Sequence, residues 1–134
     1  EMAISNSKTL GKDAFIVNCT TGIGLENFVE YATKNEEYSK AIIDKEEAID
    51  ITNSKSLLII VDTHKKNYSD VPELVDAAGK IVIIDHHRMS TDYIDNAVLT
   101  FQEVYASSTS ELVAELIQYA KEDIELKLLE AARM

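Results

Sequence analysis

The sequence predicts an α/β fold, a parallel sheet with helices on both faces, and three observations carry this reading. Leu57-Leu58-Ile59-Ile60-Val61 and Lys80-Ile81-Val82-Ile83-Ile84 are near-continuous apolar runs, each followed by an aspartate. Strands covered on both faces of a parallel sheet read this way. Between them Val71, Leu74, Val75 and Ala78 recur at helical spacing, with Pro72 in the first turn and Gly79 just past the end. The resulting strand–helix–strand unit has the ~30 residues such a crossover takes.

The remaining elements follow in order. Residues 13–18 (Asp-Ala-Phe-Ile-Val-Asn) read as a short strand, expected near the other two in the sheet. Leu25, Phe28, Val29 and Ala32 then form a helix face. The Thr20-Thr21-Gly22-Ile23-Gly24 segment before it lacks the third glycine of a dinucleotide loop and reads as a turn into that helix. Asp44-Lys45-Glu46-Glu47 reads as a solvated helix start. Residues 97–103 suit a further strand. Ser108 with Glu111 three residues on forms a capping box, opening a helix that buries Leu112, Val113, Leu116, Ile117 and Ala120. Residues 124–133 suit one more helix.

Composition narrows the function. With 134 residues, 46% of them hydrophobic, the chain fits one ordinary domain. Twenty-four acidic against 13 basic side chains give a net charge of −11, which repels duplex nucleic acid. A small anionic ligand remains compatible, provided a local cation compensates it. The single cysteine, Cys19, excludes an internal disulfide and suits a reducing, cytoplasmic setting. No apolar run approaches the ~20 residues of a membrane helix, so no direct membrane contact is expected of this segment. Glu1-Met2-Ala3-Ile4 reads like the middle of a helix, and the chain is expected to be a fragment.

The chemistry concentrates at two strand ends. The three histidines, His64, His86 and His87, all lie within two residues of the end of a predicted parallel strand, beside Asp62 and Asp85. Open α/β sheets bind ligands at this rim. Taken singly, each residue has a plainer explanation: an aspartate there is often a cap, and a lone histidine a surface side chain. Together, carboxylates and imidazoles form a donor set suited to manganese, iron or zinc.

Three blocks then become specific. Val61-Asp62-Thr63-His64-Lys65, Ile84-Asp85-His86-His87-Arg88 and Tyr105-Ala106-Ser107-Ser108-Thr109-Ser110-Glu111-Leu112-Val113 resemble, in order and spacing, the DHH phosphoesterase superfamily. Within it they are most similar to the catalytic domain of cyclic-di-AMP phosphodiesterases. The resemblance implies a Rossmann-like N-terminal domain and two-metal hydrolysis without a covalent intermediate, using two manganese ions. By the same resemblance, Asp62 bridges the metals and His86 ligates one. His87 faces the substrate phosphate, and Asp85 orients the His86 ring. Arg88 and Lys65 are phosphate contacts. Ser107 and Ser108, with Thr109, open a helix whose free N–H groups can hold an anion, and ordinary helix capping is compatible with that role.

The resemblance also exposes gaps. The family's first motif, His-x-x-x-Asp-x-Asp, has no counterpart in residues 1–19. The fourth-motif aspartate and the DHH-associated C-terminal substrate domain are not found either. The chain is therefore expected to be a partial catalytic domain over residues 1–134, inactive alone. The parent protein is expected to be membrane-anchored with this domain cytoplasmic, to act on a cyclic dinucleotide, and to form a homodimer. Two alternatives stand beside this reading. One is a nanoRNA or 3′-phosphoadenosine-5′-phosphate hydrolase, or an inorganic pyrophosphatase, of the same superfamily. The other is a non-catalytic α/β signalling module resembling a receiver domain, which would not need an Asp-His-His triplet.

Overall fold

The structure is a computed structural model that describes residues 13–17, 30, 34 and 39–120. Apart from residue 30, which is helical, the expected helices at residues 25–32 and 124–133 lie outside the described residues. The chain divides into two compact units, residues 1–52 and 53–134.

In the first unit, β1 (Ile16–Val17) pairs in parallel with β2 (Ile42–Ile43). β2 was not foreseen, because a two-residue strand leaves no periodicity to read. Helix α1 (Lys45–Ile51) follows at once. Asp44 caps it, its carboxylate accepting the Glu47 N–H at 2.8 Å, and Glu46 and Glu47 occupy the first turn, where the helix dipole favours acids. Ala48 is its buried residue.

The second unit is a three-stranded parallel sheet in the order β3-β4-β5, with β3 at Leu57–Val61, β4 at Lys80–Asp85 and β5 at Leu99–Gln102. A 3-10 turn (Lys66–Tyr68) and helix α2 (Pro72–Ala77) connect β3 to β4. Proline is at home in the first turn of α2, where its missing N–H has no helical partner to lose. Helix α3 (Thr109–Ala120) follows β5 and packs on β4.

The core joins Ile60, Ile81 and Ile83 of the sheet to Val75 of α2 and to Ile94 from the loop after β4. Leu58, Ala78 and Ala97 border it. β4, the central strand, is covered most fully, with Ile84 buried on the side opposite Ile81 and Ile83. β3 departs from the expectation of burial on both faces. Leu57, Ile59 and Val61 alternate with the core-facing residues and are 55%, 46% and 51% exposed. All three lie on one face of β3, and it is this face that stands exposed while the other packs into the core, so an apolar run overstates the burial.

Gly79 closes α2 for a steric reason. A Cβ there would lie 1.8 Å from the Ser54 carbonyl oxygen. The bare glycine lets its N–H donate to the Ser56 carbonyl at 3.1 Å, seating β4 beside β3.

Candidate metal and phosphate site

The carboxyl ends of β3 and β4 set the site. The Asp62 N–H extends the ladder by donating to the Ile84 carbonyl at 2.9 Å. Asp62 itself has φ +66°, a left-handed conformation that aspartate tolerates better than most residues. There the chain leaves the strand, and its side chain stands largely exposed at the rim. Asp62 Oδ1 accepts the Thr109 hydroxyl at 2.7 Å and lies 3.4 Å from His86 Nε2.

β4 ends in Asp85, whose side chain is fully buried. Side chains alternate along a strand, so the residue two further on returns to the same side. His87 accordingly meets Asp85, while His86 turns to Asp62. The expectation that Asp85 orients His86 is corrected here. Asp85 Oδ1 accepts from His87 Nδ1 at 2.7 Å and from the His87 backbone N–H at 3.2 Å. Its other oxygen lies 2.5 Å from His64 Nδ1.

Electrostatics follow from this pairing. Burial pushes the Asp85 carboxyl up, but the hydrogen bonds from His64 and His87, and the charge of His87, outweigh it and hold the group below its ordinary 3.8. The hydrogen bond to Asp85 raises His87 above 6.5 against a smaller desolvation effect, and attraction to Asp85 and Asp62 adds to the rise.

Asp62, His86 and His87 each offer a ligand atom, all within 4.8 Å of one another. Bonds of ~2.0–2.2 Å to one ion allow two ligand atoms to be up to ~4.4 Å apart. Asp62 Oδ1 and His86 Nε2 satisfy this. Nitrogen and oxygen donors in this mixture fit a divalent transition ion. His87 lies in the same group, beside the pair Asp62 and His86 read from the sequence.

A cavity of about 430 Å³ opens beside this group, lined by Asp62, Thr63, Lys65, Tyr68, His87 and Arg88 over the buried His64 and Asp85. Lys65 and Arg88 thus share one cavity with His87. The Lys65 ammonium lies 5.0 Å from the centre of the Tyr68 ring. Ser107 and Ser108 do not line it. They cap α3: Ser108 Oγ accepts the Glu111 N–H at 3.3 Å, and Glu111 accepts the N–H and hydroxyl of Ser107, both at 2.8 Å. Those bonds, the side-chain one foremost, lower the Glu111 pKa from 4.5.

Three participants escaped the sequence reading in these roles: His64 as a buried partner of Asp85, Ser90 against His64, and Thr109 on Asp62. The capping box already put Thr109 at the first helical position, and His64 sits two residues past a strand-end aspartate. Ser90 carried no signal.

The DHH family N-terminal domain matches residues 11–133. The chain belongs to the DHH family. Two proteins similar to it bear the name cyclic-di-AMP phosphodiesterase GdpP. That of Bacillus subtilis (strain 168) is 39% identical over 125 residues, covering 92% of this chain and 19% of that protein. That of Geobacillus thermodenitrificans (strain NG80-2) is 36% identical over the same length. The cyclic-di-AMP phosphodiesterase PdeA of Listeria monocytogenes serotype 1/2a (strain 10403S) is 39% identical over 102 residues, covering 74% of this chain and 16% of that protein. The chain therefore spans less than a fifth of the length of these relatives. No helix among the described residues is long and apolar enough to cross a membrane.

Proposed function

We propose that this chain is part of the catalytic domain of a manganese-dependent phosphodiesterase that hydrolyses cyclic di-AMP to the linear dinucleotide. The observation that carries the reading is the convergence of Asp62, His86 and His87 ligand atoms within 4.8 Å, beside a cavity holding Lys65 and Arg88. Its likeness to proteins named cyclic-di-AMP phosphodiesterases supports the choice of substrate.

Asp62 and His86 would hold the ion, which when bound polarises a phosphoryl oxygen and lowers the pKa of water. The protein's own groups then have separate tasks. Lys65 and Arg88 bring positive charge to the cavity of a strongly acidic chain and attract a phosphodiester. Asp85 fixes His87 through Nδ1 and raises its pKa, so the protonated ring would present Nε2–H to a phosphoryl oxygen and offset charge developing there. Asp85 itself is fully buried and serves by orienting His87.

The test is hydrolysis of cyclic di-AMP, followed by chromatography, by a protein joining this chain to segments that carry the family's first and fourth motifs and its C-terminal domain. Manganese-dependent formation of the linear dinucleotide is expected. Preferential turnover of short oligoribonucleotides or 3′-phosphoadenosine-5′-phosphate would replace this reading with the other hydrolase of the superfamily.

A further inference from the structure

We propose that His64 is a positioning residue: it fixes the His87 ring through Asp85 and fastens the loop that carries His86, His87 and Arg88. Its effect on turnover rests on the phosphodiesterase reading above, whereas its effect on the His87 ring does not.

The partners of the two His64 nitrogens favour one tautomer. The Ser90 backbone N–H points at Nε2 from 3.1 Å. That backbone N–H favours a lone pair on Nε2, and at the other nitrogen the Asp85 carboxylate can only accept. The ring proton therefore sits on Nδ1 and is donated to Asp85 Oδ2 at 2.5 Å. With its side chain 4% exposed and both nitrogens engaged, His64 has no atom left for an ion or a phosphate. Such a residue acts through its neighbours.

Asp85 passes the constraint on. It is a fully buried carboxylate, and His64 is the side chain that occupies Oδ2. With Oδ2 satisfied, Oδ1 is committed to the Nδ1–H and backbone N–H of His87. That fixes the His87 tautomer and turns its Nε2 away from the carboxylate. Without His64, a buried anionic oxygen would lack a donor, and rotation of the carboxylate to find one would release His87.

His64 also holds the loop from its own main chain. The Ile94 N–H donates to the His64 carbonyl at 2.9 Å, and Ile94 is part of the core. The Ser90 hydroxyl, 3.1 Å from His64 Nε2, lies 2.9 Å from the Asp92 carbonyl. One residue thus anchors the loop after β4 at two separated points.

The experiment reads ring tautomers by two-bond proton–nitrogen correlation on the 15N-labelled 134-residue chain at alkaline pH. Both His64 and His87 are expected as the Nδ1–H form. A wild-type His64 in the Nε2–H form overturns the proposal, whatever the variants do. His64→Asn sets an amide N–H near the place of Nδ1 and should keep His87 in the Nδ1–H form. His64→Leu preserves bulk without a donor and should give a His87 tautomer mixture. An unchanged His87 ring in folded His64→Leu overturns the proposal. So does a His64→Asn variant that is folded but has lost the Nδ1–H form of His87. In the extended enzyme, His64→Leu should lower kcat about 10–100-fold, with His64→Asn recovering most of it. Equal kcat losses in both folded variants would reduce His64 to a packing role. An inactive wild-type extended enzyme would count against the substrate reading and leave the tautomer result standing.

Discussion

Thr109, the first residue of α3, donates its hydroxyl to Asp62 Oδ1 across 47 residues of sequence, at 2.7 Å. The capping helix is thereby tied to a candidate ion ligand. Thr109→Val keeps the shape and removes the donor, so manganese affinity should fall about tenfold, the lower end for losing a partner that orients a ligand. Thr109→Ser should bind nearly as well as wild type. Titration of manganese followed by electron paramagnetic resonance reads the difference, and equal affinity in Thr109→Val would show that the bond does not orient Asp62.

The left-handed backbone at Asp62 makes a separate prediction about stability. Asparagine and glycine accept φ +66° more readily than alanine does. Asp62→Ala should therefore be less stable than Asp62→Gly by about 1 kcal/mol, although neither variant can ligate an ion through this position. Urea unfolding of the two proteins checks the order. If Asp62→Ala is the more stable, the local conformation is not the one described.

Gly79→Ala should be far more damaging than an exposed glycine substitution suggests. The added methyl would meet the Ser54 carbonyl at 1.8 Å, and that atom belongs to the main chain, which cannot rotate away. A loss of roughly 3 kcal/mol or more is expected, in the range of severe overpacking. Thermal melting of the variant would reveal it; a wild-type midpoint would mean that the segment before β3 shifts freely.

These cases show what could be read from sequence and what could not. The strand positions of β3 and β4 and the Pro72–Gly79 bracketing of α2 are local signals that appear as read, while the capping box forms in part, Ser108 accepting the Glu111 N–H and Glu111 reaching back to Ser107 instead of Ser108. Exposure of Leu57, Ile59 and Val61 depends on what covers one face of β3, a property of tertiary packing that a run of residues does not carry. The site divides in the same way. Convergence of Asp62, His86 and His87 follows from adjacent parallel strands, so spacing was enough to suggest it. Assigning Asp85 to His87 required following the strand's alternation past its end, and the Ser90 and Thr109 contacts arise from loop and helix placement.

The Asp85–His87 pair should make stability depend on pH at both ends of a window. His87 is raised above 6.5 in the folded protein. Its contribution is thus fully present below 6.5, the unfolded value, and is lost as pH rises through the higher folded value. Asp85 is lowered below 3.8, so its contribution is present above 3.8 and is lost as pH falls through the lower folded value. His87→Gln should accordingly destabilise the chain more at mildly acidic than at alkaline pH. The margin should be small, because the His87 side chain is 55% exposed and solvent screens the pair. Urea midpoints of the two proteins across that range test the sign; a larger loss at alkaline pH would contradict the pairing.

The most demanding prediction is that this 134-residue chain, purified alone, hydrolyses cyclic di-AMP negligibly even with added manganese. A two-metal centre works by holding both ions at fixed separation, which needs more ligands than one cluster supplies. The sequence contains three histidines in all, and His64 is committed to Asp85 and Ser90. Among the described residues one such group is found, Asp62, His86 and His87, and with His87 assigned to the phosphate it leaves two ligands for an ion. Manganese titration of the chain should therefore give at most one weak site. In the extended enzyme, Asp62→Ala or His86→Ala should abolish turnover, since a ligand has no substitute. His87→Ala should impair turnover while leaving bound manganese nearly unchanged, because its proposed task is on the phosphate. Loss of manganese in His87→Ala would instead make it a third ligand. Robust turnover by the 134-residue chain would mean that residues other than these build the centre, and an extended enzyme that tolerates Asp62→Ala would remove the basis of the proposed function.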